Sequence, residues 1–106
     1  MNLDDEYNPA HRQAVDLQGK FHDFVKQGPS AYNPQATQLQ HEIHYLVGEL
    51  EAKKDPRTIE SRIKIIQREI REAQMRGDPI MQQDHLNDLQ SHYEQLRQGI
   101  RRFRNY

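Results

Sequence analysis

Apolar residues recur along this chain at spacings of three and four, in four separate runs. The first is Ala10, Ala14, Leu17, Phe21 and Phe24, and the second is Ala36, Leu39, Ile43, Leu46 and Leu50. The third is Ile59, Ile63, Ile66, Ile70 and Ala73, and the fourth is Leu86, Leu89, Tyr93, Leu96, Ile100 and Phe103. Alternating steps of three and four keep one stripe of a helix turned toward a partner helix. No segment shows the apolar–polar alternation of a half-buried strand. The pattern predicts an all-α chain with coiled-coil-like heptad packing.

A proline after a capping residue precedes every run: Asn8-Pro9, Asn33-Pro34, Asp55-Pro56 and Asp78-Pro79. An Asn or Asp side chain accepts a free N–H of the first turn. Proline suits the first helical position, where its missing N–H costs nothing. Gly28-Pro29 reads as a stop. These signals place helices at 9–27, 34–53, 56–76 and 79–104. The links are short, which makes neighbours antiparallel: two αα-hairpins in a single domain, 1–106. Residues 1–7 read as a disordered acidic N-terminus. Tyr7 and Tyr32 stand just before the first two caps, where a ring can staple onto the first turn. Arg12, Gln13, Thr37 and Gln38 are poor apolar partners for them, which leaves both rings to face the other hairpin or another chain.

The two hairpins also resemble each other. Residues 17–28 lie over 66–77, and Leu39-Gln40, Ile43 and Leu46 lie over Leu89-Gln90, Tyr93 and Leu96. Any two heptad seams align in part, so the shared Gln after the seam leucine carries most of the weight.

Composition changes the picture in one respect. Only 34% of residues are hydrophobic and 29% are charged, a lean core under a wet surface. The fourth seam is strictly two-in-seven, which covers one partner better than a four-helix core. The expectation is therefore a homodimer or higher oligomer. The off-seam residues Val15, Val25, Tyr45, Val47, Ile65 and Met75 would supply its contacts.

Several classes of function drop out. There is no cysteine, so disulfides, thiolate zinc sites and cysteine catalysis are excluded. No apolar run approaches the roughly 20 residues of a membrane span. The start, Met1 to Glu6, is acidic where a signal peptide is basic and then apolar. A cytoplasmic protein is expected. No glycine-rich phosphate loop or cofactor motif is present, and Ser30, Ser61 and Ser91 sit in no catalytic pattern. Glu69 and Glu72, flanked by Arg68 and Arg71, read as surface ion pairs. The expectation is no enzyme and no cofactor.

Two constellations remain. His41 and His44 share a helical face, but helix-borne zinc uses histidines four apart plus a third ligand. They are weak metal candidates, and solvated histidines are the plainer reading. His85 and His92, with Asp84 and Asp88, read the same way, Asp88 and His92 as a surface pair. The tail LRQGIRRFRNY is basic. Arg97, Arg101 and Arg104 form one stripe with Arg102 beside it, and Phe103 and Tyr106 interleave aromatics as in some nucleic-acid surfaces. The same cations complement the helix macrodipole. The net charge of −1 favours an acidic protein partner over nucleic acid. Arg97, Arg101, Arg102, Arg104, Ile65 and Tyr45 are the candidate partner-binding residues.

Residues 53–80, KKDPRTIESRIKIIQREIREAQMRGDPI, resemble the central segment of the YlbF/YmcA family of small bacterial all-helical proteins. Asp55-Pro56 stands at that family's helix start, Ile66-Gln67 at its apolar-x-x-Gln step and Gln74-Met75-Arg76-Gly77 at its helix end. The resemblance implies a non-enzymatic, self-associating regulator acting through protein partners, some linked to RNA-processing machinery. It carries no functional residue across. The sequence thus points to an oligomeric helical adaptor, regulator or inhibitor, with phage or mobile-element origin compatible. A nucleic-acid-binding regulator and a metal-binding protein are the alternatives.

Overall fold

A computed structural model describes residues 3–27, 34–76 and 83–104. It contains four helices: α1 (Leu3–Gln27), α2 (Pro34–Glu51), α3 (Pro56–Arg76) and α4 (Gln83–Arg104). Each packs against two neighbours, α1 on α2, α2 on α3, α3 on α4 and α4 back on α1. The result is a closed antiparallel bundle, 45 × 22 × 18 Å. Among the described residues no helix is long and apolar enough to cross a membrane.

The apolar runs form the core. Leu39, Ile43, Leu46, Ile59, Ile63, Ile66, Ile70, Leu86, Tyr93 and Ile100 are almost wholly buried within one chain. The narrow fourth seam is thus covered by the chain's own α1 and α3, with the edges between helices filled by Gln, Glu and Arg. Within the first run the structure exchanges two neighbours. Val25, expected off the seam, is buried; Phe24 is only partly buried and packs at the core's edge. Of the other off-seam residues, Val47 packs against the core and Ile65 is half-buried, while Val15, Tyr45 and Met75 are 43%, 53% and 80% exposed.

Two boundaries differ from the sequence reading. The first helix begins at Leu3, so residues 3–7 are helical rather than disordered, and Pro9 lies inside α1 instead of opening it. Tyr7 is buried, and its hydroxyl donates to the Lys54 carbonyl at 2.6 Å. That anchor ties α1 to the turn between α2 and α3 and offsets the backbone bond that Pro9 cannot make. Tyr7 therefore faces the α2–α3 turn. Tyr32, Asn33, Gly28, Gly77, Asp78-Pro79 and Tyr106 lie outside the described residues, as do the side chains of Phe103 and Arg104.

The second helix ends at Glu51, two residues early. Lys54 N–H bonds Glu49 O at 3.0 Å and Lys53 N–H bonds Leu50 O at 3.1 Å. This is the Schellman pattern, with Lys53 in the left-handed region at φ 54°. Asp55 then caps α3 as the sequence predicts: its Oδ1 accepts the Arg57 N–H at 2.8 Å.

Candidate functional site

Positions just past the α3 seam residues turn toward α4, and they are polar. Glu60 and Gln67 are buried there. Gln67 donates Nε2 to Glu94 Oε2 at 2.7 Å, and its carbonyl accepts from Gln90 Nε2 at 3.2 Å. Arg97 joins this cluster, with Nη2 3.2 Å from Glu94 Oε1 and Nη1 3.3 Å from Gln67 Oε1. One turn on, Arg101 Nη2 lies 3.1 Å from Glu60 Oε1, and Lys64 Nζ lies 3.8 Å from the same oxygen. Glu60 is only 2% exposed, so a neighbouring cation is needed to hold its charge.

Arg97 and Arg101 therefore do two things: Arg101 pairs Glu60 across the α3–α4 seam while Arg97 pairs Glu94 on its own helix and reaches Gln67 across the seam, and both form its outer wall. Arg102 is exposed on the far side of α4. The structure adds three cations, Lys64 and the two arginines that read from the sequence as ion-pair partners. Lys64, Arg68 and Arg71, spaced four and three apart on α3, line the same groove as Arg97. Among the described residues Arg68 and Arg71 form no ion pair with Glu69 or Glu72, although Arg68 and Glu72 stand four apart on the helix. Five cations (Lys64, Arg68, Arg71, Arg97 and Arg101) thus meet two carboxylates (Glu60 and Glu94), a net +3 on one face. The whole chain carries −1. Met75 continues the same stripe, four residues after Arg71, and is 80% exposed.

The α2–α3 edge is built differently. Arg62 places Nη1 2.6 Å from Glu42 Oε2 and Nε 2.7 Å from Glu49 Oε1. Gln38 donates to the other Glu42 oxygen at 3.1 Å. The Tyr45 ring lies under the guanidinium, 5.3 Å from centroid to Cζ. The Glu49 hydrogen bond raises the Arg62 pKa above its ordinary value, partial burial opposes it, and Glu42 adds to the rise. Tyr45, a candidate partner residue, is half engaged here, and the half-buried Ile65 sits near the same edge of α3.

The histidines do not converge. Among the described residues no group of three or more His, Cys, Asp or Glu side chains is placed to hold a metal ion. Gln18 Nε2 approaches His44 Nδ1 at 3.3 Å, and Gln40 Nε2 approaches His22 Nδ1 at 3.5 Å, bridging α1 and α2. His41 is exposed nearby. His92 pairs with Asp88 at 3.4 Å. His85 stacks on Phe24, with centroids 4.0 Å apart and planes at 15°, and on Phe21 at 6.1 Å. Burial lowers its pKa, with Asp88 opposing, and its Nε2 is covered without a hydrogen-bond partner. This stack explains why Phe24 leaves the seam.

No family model, curated protein or solved structure matches the chain.

Proposed function

We propose that the chain is a non-enzymatic binding protein that offers its α3–α4 face to an acidic protein partner. The observation that carries this reading is the pair Arg68 and Arg71, exposed and, among the described residues, without an ion-pair partner, beside three further cations in a chain of net −1. A local positive field in a near-neutral molecule steers an acidic partner to one face. One feature favours protein over nucleic acid. Met75 extends the stripe with a flexible apolar side chain, of a kind common on protein-recognition surfaces. The family resemblance of residues 53–80 implies the same class of role.

The test is capture from the native host with two baits, wild type and Arg68→Glu/Arg71→Glu. Both positions are exposed, so the variant should keep its helicity and melting temperature. The expected result is a protein retained by wild type, lost with the double reversal and unaffected by nuclease. Retention by both baits would sink the proposal. So would capture of RNA or DNA with an affinity that falls steeply with salt.

A further inference from the structure

The α1–α2 face carries a shallow groove of about 500 Å3 that plays no part in the proposed function. Val15, Gly19, His22, His41 and His44 help line it, and none of the described lining residues is Asp, Glu, Lys or Arg. In a chain that is 29% charged, the α2–α3 and α3–α4 edges are both held by ion pairs. This groove is not. Two helical rows run along it, each stepping four, three, four: His11, Val15, Gln18 and His22 on α1, and Thr37, His41, His44 and Gly48 on α2. Of these, Val15, Gln18, His22, His41 and His44 line the groove. Each row is a second seam of the heptad period, turned away from the core.

Gly19 lines this groove, and Gly48 lies just past His44, beside Tyr45, Glu49, Lys54 and Arg62; a Cβ at either meets nothing within 4 Å. Neither glycine serves the packing of its own chain, yet each weakens its helix relative to alanine. Their consequence is an unobstructed surface on which another backbone can approach closely.

We propose that a second copy of the chain docks here, α1–α2 against α1–α2 about a two-fold axis. Charge selects the occupant. Two copies meeting through their α3–α4 faces would bring net +3 against net +3. Meeting through the α1–α2 faces, they bring together groove linings without formal charge, and the Lys20–Asp16 pair beside the groove on α1 is neutral as a pair. A two-fold contact sets the same patch on both sides, and an uncharged patch tolerates its own image. The area is also adequate. Helix α2 has 18 residues, about 27 Å of length, and two helices are about 20 Å wide. That gives roughly 500 Å2 per copy and roughly 1,000 Å2 in all, at the lower edge of specific interfaces. The dimer is therefore weak and reversible.

Sedimentation velocity on the full chain, from low micromolar to near-millimolar, tests this. Wild type should shift from monomer to dimer across the series. Gly19→Arg has room in its own chain, so it should fold with an unchanged or higher melting temperature and dimerise about tenfold or more weakly. Val15→Glu, at an exposed position, should act the same way should the arginine variant prove unstable. Arg68→Glu/Arg71→Glu should dimerise as wild type does. A wild type that stays monomeric throughout would overturn the proposal. So would a dimer that survives these α1–α2 substitutions or is lost on reversing the α3 arginines.

Discussion

Arg62→Ala should lower the stability of the bundle by about 2–3 kcal/mol, or roughly 10–20 °C in melting temperature for a domain of this size. Arg62 bridges Glu42 and Glu49 across the α2–α3 edge at 2.6 and 2.7 Å. Glu42 is 8% exposed. Without the guanidinium its carboxylate keeps only the Gln38 bond, and the remaining charge is poorly solvated. The cost is that of stranding buried charge, more than the worth of the pair itself. Arg62→Met combined with Glu42→Gln and Glu49→Gln should therefore recover most of the loss. Thermal melts by circular dichroism decide it: a loss under about 0.5 kcal/mol would mean that the clamp behaves as an ordinary surface ion pair.

The second large effect depends on pH. The folded chain holds the His85 pKa below the ordinary 6.5. Above pH 6.5 the ring is neutral in both states, and its contribution to stability is fully present. As pH falls below 6.5 the unfolded chain takes up a proton that the folded chain resists. Stability then drops until the folded-state pKa is passed. His85→Phe should flatten the fall between pH 7 and pH 5. It should also raise the melting temperature at pH 7, because it removes a covered Nε2 without a partner and keeps the stack on Phe24. Relief of such a buried group is worth about 1–3 kcal/mol. A slope unchanged in the variant would assign the acid sensitivity to other groups.

These effects show how far the sequence could be read. The seams of α2, α3 and α4 were legible because apolar spacing alone sets which face is buried. The start of α3 was legible because Asp55 and Pro56 act locally. The start of α1 was not, since what carries the helix past Pro9 is a bond from Tyr7 to a carbonyl 47 residues away. Spacing cannot choose between Phe24 and Val25, which follow Phe21 by three and four. His85, on another helix, makes that choice. The surface follows the same rule. Arg97 and Arg101 stand out in a basic tail, but their partners Glu94, Gln67 and Glu60 become visible only once α3 and α4 are side by side. Arg68 and Arg71 are masked in the sequence by Glu69 and Glu72 interleaved with them, and the groove they share with Lys64 and Arg97 exists only once α3 and α4 are side by side.

On these two proposals the bundle has two working faces, a basic α3–α4 face for an acidic protein and an α1–α2 face with an uncharged groove for its own copy. Photo-crosslinking in the native host tests both at once. A benzophenone amino acid replaces Met75 in one variant and Val15 in the other, both exposed positions. The account predicts that Met75 yields adducts with a different protein, and that Val15 yields adducts of twice the chain's own mass. Nucleic-acid adducts at Met75, self-adducts there, or a foreign protein at Val15 would contradict it.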